Sequence, residues 1–182
     1  FKFFGDERCA KRIARKIIEV RKKKIIDTET LTKIVDEVKK FKNYKINNST
    51  KVFQALRIFV NKEISELIDG LINAYQILPV GGIITVVTFH SLEDKIVKFF
   101  FKNYSETKNS SRYVPDKEKN VTYFKLHKKK PLTPSIEELK LNPPSRSAKL
   151  RYATKIRNHC NFDELKKKFK YLLDIENLEF TK

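Results

Sequence analysis

The segment Leu78-Pro79-Val80-Gly81-Gly82 divides a long stretch of helix-spaced apolar residues from the β-rich run Ile83-Ile84-Thr85-Val86-Val87-Thr88-Phe89, and a new helix signal follows at Ser91. Proline cannot continue a helix, and glycine readily ends one. Before the stop, Phe53, Leu56, Val60, Ile64, Leu67, Leu71, Ala74 and Leu78 step by three and four, which predicts one helix from Ser49 or Thr50 to about Leu78. The run after it is β-branched and apolar on both faces, the pattern of a buried parallel strand. Ser91 is placed to cap a helix reaching about Tyr104, with Asp94 at capping-box spacing. Helix, stop, buried strand and helix form one slice of an α/β layered sheet.

The flanking segments extend this slice in both directions. Ala10, Ile13, Ala14, Ile17 and Val20 predict an amphipathic helix over Asp6 to Lys24, and Thr28 or Thr30 can cap a second one through Lys40. The pair reads as a small helical hairpin, followed by a polar hinge near 42–50. A Ser-, Lys- and Asn-rich loop near 105–120 reads as mobile. A strand from Val121 to His127 and a short helix opened by Pro134 come next. A second strand from Ala148 to Ile156 and a last helix capped by Asn161, carrying Phe162, Leu165, Phe169 and Leu172, complete the chain. The expected organisation is a helical region over 1–47 and a sheet region over 48–182.

Charge sets the function classes. Forty Lys and Arg against 22 Asp and Glu leave +18, which favours a polyanionic partner, nucleic acid first. A lysine-heavy composition drift is the other reading, and charge alone leaves both open. No apolar run reaches the roughly 18 residues of a membrane span. Cys9 and Cys160 are too distant in sequence to suggest a disulfide framework or a metal cluster, and a reducing compartment fits them. Of the four glycines only Gly81-Gly82 are adjacent, and they precede a strand, so a glycine-loop nucleotide site is not expected. The absence of Met predicts that the chain is a piece of a longer protein.

Two stretches carry candidate chemistry. Phe89-His90-Ser91-Leu92-Glu93-Asp94 falls where the strand hands over to a helix, and α/β sheets bind ligands at the carboxyl ends of their strands. His90 is there either as a ligand-handling imidazole or as filler in a capped turn. Ser145-Arg146-Ser147-Ala148-Lys149-Leu150-Arg151 sets hydroxyls and long cations on an expected edge strand, suited to phosphate contacts or to deterring sheet pairing. Arg57 lies on an otherwise apolar helix, where an exposed or ion-paired role is the default. Lys128-Lys129-Lys130 reads as a solvated run that phosphates could also use. His127 and His159 have no ligand-like neighbours in sequence, no metal site is expected, and no serine sits in a nucleophile elbow.

Seven blocks occur in a fixed order: Phe4-Gly5-Asp6-Glu7-Arg8, Arg12-Ile13-Ala14-Arg15, Phe53-Gln54-Ala55-Leu56-Arg57-Ile58, Val60-Asn61-Lys62-Glu63, Leu78-Pro79-Val80-Gly81-Gly82, Phe89 to Lys98, and Arg146-Ser147-Ala148-Lys149-Leu150-Arg151. Over roughly Phe1 to Arg157 the chain resembles the RsmH/MraW family, the S-adenosylmethionine-dependent methyltransferases of cytosine N4 in small-subunit ribosomal RNA. The resemblance implies a partial Rossmann-like, class I methyltransferase sheet with a helical insertion at the N-terminal end of this chain, the insertion helping to hold RNA. One of the closing strands would run antiparallel.

The resemblance also assigns roles. His90, Ser91 and Asp94 would stand at the rim of a pocket for a flipped-out cytosine, with the proton acceptor left open. Arg57, Arg146, Ser147, Lys149 and Arg151 would contact RNA. The cofactor, S-adenosyl-L-methionine, would bind to a glycine-rich loop and acidic motifs preceding Phe1, so no cofactor-binding residue is expected in this chain, which alone would be inactive. Two blocks depart from the family pattern: Asn47-Asn48-Ser49-Thr50-Lys51 replaces a His-Pro-Ala-Thr-Arg-like stretch, and Asn142-Pro143-Pro144-Ser145-Arg146-Ser147 has one cation fewer. The expected partner is small-subunit ribosomal RNA or an assembling subunit, in the cytoplasm, a mitochondrion or a plastid. A non-catalytic basic RNA-binding module is the alternative, and a DNA-directed methyltransferase is a third reading.

Overall fold

A computed structural model of the chain describes residues 1–22, 26–39, 47–105 and 121–178. Its elements are α1 (Lys2–Gly5), α2 (Ala10–Arg21), α3 (Thr28–Val38), α4 (Thr50–Asn61), α5 (Glu63–Ile77), β1 (Ile83–Thr88), α6 (Ser91–Asn103), β2 (Phe124–Leu126), α7 (Ile136–Leu141), a 3₁₀ turn over Pro143–Ser147, β3 (Lys149–Lys155) and α8 (Asp163–Glu176). They form two compact units, one of residues 1–64 with 172–182 and one of residues 65–171. The expected hinge and the 105–120 loop fall mostly on 40–46 and 106–120, outside the described residues.

The first unit is helical. Ile13, Leu31, Val35 and Val52, from α2, α3 and α4, are buried together, with Cys9, Ile17, Val38 and Phe53 packed around them. The cap of α3 is Asp27, not Thr28 or Thr30: its carboxylate accepts the Thr30 N–H at 2.7 Å from an extended backbone. Arg12 ties α2 to α3 by donating to the Val38 carbonyl at 2.7 Å. Two of the sequence blocks meet here. A Cβ on Gly5 would lie 2.2 Å from the Lys51 carbonyl oxygen, so only glycine lets α1 lie this close to α4. Gln54 donates to the Phe4 carbonyl at 3.2 Å and Lys51 to the Asp6 carbonyl at 3.0 Å. Lys39 pairs with the buried Glu7, whose carboxylate also accepts the Cys9 N–H at 2.9 Å. Burial pushes the Glu7 carboxyl up, but Lys39 and the Cys9 N–H outweigh it and hold it below its ordinary value.

The single long helix expected over 50–78 is two. Lys62 adopts a left-handed conformation (φ 52°), ending α4, and α5 restarts at Glu63. The apolar face of α4 is also rotated from the expected one: Val52, Ala55 and Ile58 are buried, whereas Val60 is 73% exposed. The three-and-four spacing runs unbroken through the junction, so periodicity has no means of showing a one-residue break. The Ile64 N–H at the start of α5 donates to Glu176 in the last turn of α8 at 2.8 Å.

The second unit carries the sheet, in the order β1-β3-β2. Both pairings with β3 are antiparallel, Ile83 facing Thr154 and Thr88 facing Lys149 in one, and Phe124 facing Lys155 in the other. β1 and β2 therefore run in the same direction, with β3 reversed between them. The expectation for β1 was burial on both faces beside parallel neighbours. Instead Ile84, Val86 and Thr88 point inward while Ile83, Thr85 and Val87 stand exposed, and among the described residues no strand pairs with its other edge. β3, expected at an edge, is central. A period-two pattern shows which residues share a face, not how many neighbours a strand has.

An aromatic cluster holds this unit together. Phe100 on α6, Phe124 on β2, and Tyr75 and Phe162 pack with ring centroids 5.0 to 5.5 Å apart. Lys155, on β3, is only 2% exposed. Its Nζ donates to the carbonyls of Tyr75 at 2.9 Å and Leu78 at 2.7 Å, the orphan acceptors at the end of α5, and lies 4.4 Å from the Tyr75 ring centroid. The Gly81 N–H donates to the Lys155 carbonyl and the Lys155 N–H to the Gly82 carbonyl, both at 2.8 Å, with Gly81 at φ 91°. The Pro-Val-Gly-Gly stop is thereby fastened to the end of the sheet. None of the helices is long and apolar enough to cross a membrane, among the described residues.

Candidate functional site

The site lies in the second unit, at the carboxyl end of β1 where α6 begins. His90, not Ser91, is the N-cap. Its extended backbone (φ −134°, ψ 163°) starts the helix one residue early, and its Nδ1 accepts the Glu93 N–H at 3.3 Å. Glu93, not Asp94, completes the box by accepting the Phe89 N–H at 2.9 Å and the His90 N–H at 3.3 Å. Histidine is an uncommon cap, so the sequence favours the serine beside it. His90 Nε2 stands 3.1 Å from Glu93 Oε1. Burial pushes the Glu93 carboxyl up, yet contact with His90 and the Phe89 N–H holds it below its ordinary value.

The one-residue shift frees Asp94 for another task. Asp94 accepts a hydrogen bond from Arg151 Nε at 2.8 Å and from Lys149 Nζ at 3.1 Å. Burial raises the Asp94 carboxyl, but these two cations outweigh it and keep it ionised below the usual aspartate range. Two sequence blocks, one following β1 and one leading into β3, are joined by this one carboxylate. Lys149 and Arg151 are two apart on β3 and point to the same face, and each stands opposite an inward residue of β1: Thr88 and Val86.

The five expected RNA contacts do not share one environment. Arg151 has a side chain only 11% exposed and is committed to Asp94 and, through its guanidinium, to the Lys129 carbonyl at 3.3 Å. Lys149 is paired with Asp94 but 40% exposed, so its ammonium can still meet a phosphate. Arg146 and Ser147 lie on the 3₁₀ turn that leads into β3, and both are exposed. Arg57 belongs to the first unit, where Glu63 accepts two hydrogen bonds from its guanidinium at 2.7 and 3.1 Å. Ser91, the first residue of α6, is exposed.

Sequence reasoning missed Glu93 and Lys155, and also the partners of His127. That ring stacks on Tyr152 at 5.4 Å with planes 14° apart, and its Nε2 is 2.7 Å from Thr154 Oγ1. The alternation of Tyr152 and Thr154 on β3 is visible in the sequence, but their partner lies about 25 residues away across a pairing that the sequence does not show. Burial pushes the Cys160 thiol up to about 12, which removes it as a nucleophile at neutral pH.

Among the described residues, the one glycine pair does not fit a methionine-cofactor loop. Gly81 and Gly82 are the one glycine cluster, and they end a helix rather than follow a strand; their N–H and carbonyl are taken by Lys155, and a Cβ on Gly82 would meet the Leu78 side chain at 2.5 Å. They form no cradle for a cofactor, and no donor-binding residue is assigned among the described residues.

Comparison with known proteins identifies the family. The family model described as the MraW methylase family matches residues 1–156. Ribosomal RNA small subunit methyltransferase H of Nitrobacter winogradskyi is 44% identical over 151 residues, covering 82% of this chain and 46% of the relative. The proteins of the same name from Ehrlichia canis and Rickettsia prowazekii are each 46% identical, covering 84% of this chain and 50% and 51% of themselves. The chain thus spans about half the length of the curated relatives it matches.

Proposed function

The chain belongs to the MraW methylase family, and from that premise we propose that it is the RNA-holding portion of a methyltransferase that moves a methyl group from S-adenosyl-L-methionine to cytosine N4 of small-subunit ribosomal RNA. The single observation that carries the reading is the Asp94 junction. Within a match running through residues 1–156, it ties the Phe-His-Ser-Leu-Glu-Asp block at the end of β1 to the Ser-Ala-Lys-Leu-Arg block of β3.

In this reading the donor, bound elsewhere, supplies an electrophilic methyl. This chain's residues position the acceptor. Phe89 and Ser91 are exposed at the end of β1, beside the His90–Glu93 cap, and would form the rim against which an extruded cytosine rests. The cap fixes the direction of α6, and so of the rim, to within a hydrogen bond. Arg146, Ser147 and Lys149 reach the phosphates on either side, with Arg151 and Asp94 as the rigid pair that orients Lys149. Arg57 and the helical region over 1–47 would be RNA contacts of the first unit in their own right, with Arg57 exchanging its Glu63 partner for phosphate.

A non-catalytic basic RNA-binding module is the second reading, favoured by the Gly81-Gly82 turn being taken up in the sheet and by the net charge of +18. Titration calorimetry and fluorescence anisotropy test the proposal on this chain: a small-subunit RNA fragment should bind, and S-adenosylmethionine should give no heat. Micromolar binding of the donor without RNA binding would contradict the assignment.

A further inference from the structure

Helix α6 bears Lys95, Lys98 and Lys102 at spacings of three and four, and so on one face. Helix α8 packs beside it: Phe99 and Phe169 meet edge-to-face at 5.6 Å, and the Tyr104 hydroxyl accepts the Leu165 N–H at 3.2 Å. Between them lies a groove of about 430 Å³, lined by Phe99 and Phe169 together with Lys95, Lys98, Lys102 and Lys168. Among the described residues no carboxylate lines it. The acid held by a lining residue is Glu164, which accepts from Asn103 at 2.8 Å. Lys95, Lys98 and Lys168 make no ion pair among the described residues.

Three such ammonium groups set around aromatic rings form a site for a ligand that is anionic and flat at once. Folding gains nothing from gathering them, because like charges around one groove repel. Two lysines of the same helix also border a second groove, where Lys98 and Lys102 join Lys128, Lys129 and Tyr152. The two grooves share Lys98 and Lys102, and each has aromatic residues in its lining. A phosphate backbone with splayed bases has this pattern of charge and ring. A lipid surface does not, since it offers no ring to stack and meets a flat face rather than a groove.

We propose that the α6–α8 groove binds a single-stranded RNA segment, phosphates on Lys95, Lys98 and Lys168 and a base against Phe99. Helix α8 lies beyond residues 1–156, so the groove takes one wall from outside the family match. The inference rests on the proposed ribosomal RNA substrate only for its choice of polyanion; the groove is distinct from the Asp94 junction.

The experiment is anisotropy of a labelled single-stranded RNA, about 12 nucleotides long to span one such groove, with the full chain across a salt series. In a Lys95→Gln, Lys98→Gln, Lys168→Gln variant the affinity should fall about tenfold or more, and the salt slope should become shallower by about 2, from ~0.7 per phosphate lost. Phe99→Ala should weaken binding about fivefold with the slope unchanged. Lys140→Gln, on exposed α7, should match wild type. If the triple variant does not fold, Lys168→Glu alone should still lower the affinity. Wild-type affinity and slope in the triple variant would overturn the groove while leaving the ribosomal RNA reading intact. Preference of the wild-type chain for phosphatidylglycerol vesicles over RNA would overturn the choice of partner.

Discussion

Asp94 on α6 accepts the Arg151 Nε–H of β3 at 2.8 Å, and with side chains 14% and 11% exposed the two charges are largely shielded from water. Such a pair contributes little net stability when complete, because desolvation offsets attraction, but it is costly to halve. Asp94→Asn leaves Arg151 without its counter-ion, and unfolding in urea should show a loss of about 2 kcal/mol. An unchanged midpoint would mean that the pair is not formed in solution.

The same pair sets an acid limit. The carboxyls of Asp94, Glu93 and Glu7 are all held below their ordinary values in the folded chain. Their stabilisation is therefore full above the unfolded carboxyl range, about pH 4, and is lost as pH falls through the lower folded values. Melting temperature measured from about pH 6 down to about pH 2.5 should drop steeply at the acid end. The drop should be shallower in Asp94→Asn, which has one such group fewer.

Gly5 and Lys155 test the two units separately. Gly5→Ala drives a methyl into the Lys51 carbonyl and should destabilise the first unit by about 2 kcal/mol. Lys155→Met removes the ammonium that serves both carbonyls at the end of α5 and should lower the stability of the second unit by about 2 kcal/mol. Hydrogen exchange of amides in α4 for the former and in α5 and β3 for the latter reads the loss where it occurs.

Capping at His90 has a conservative rescue. His90→Ala should cost about 1 kcal/mol, and His90→Asn, whose side-chain oxygen can accept the same Glu93 N–H, should restore most of it. If the asparagine variant regains stability while methyl transfer by the full-length protein stays low, the imidazole acts in the reaction as well as in the fold.

Much of this is legible in the residues. The helix-stop-strand-helix slice needs only Pro79, the glycine pair and a β-branched run, and these are local signals. The block order carries the family, and the reversed β3 comes with it. What the residues hide is relational. Nothing local marks Lys62 as a helix end, since a left-handed lysine has no sequence signature. The His90 cap is obscured by a better-known capping residue at its side. Asp94 reads as the capping-box partner of Ser91, because its actual partners sit 55 and 57 residues on, across a strand pairing that periodicity does not reveal. The exposed Ile83, Val87 and Phe89 read as buried for the related reason that hydrophobicity tells where a residue would rest, not whether a neighbour covers it.

The most direct test is the nucleoside composition of small-subunit RNA after incubation with S-adenosylmethionine and the protein from the complete reading frame. Digestion and mass spectrometry should show one methylated cytidine carrying the methyl on N4, reduced when Arg146 and Lys149 are both changed to alanine. Methylation of a different base, or full N4-methylcytidine in the double variant, would contradict an RNA-holding role for this chain in cytosine methylation.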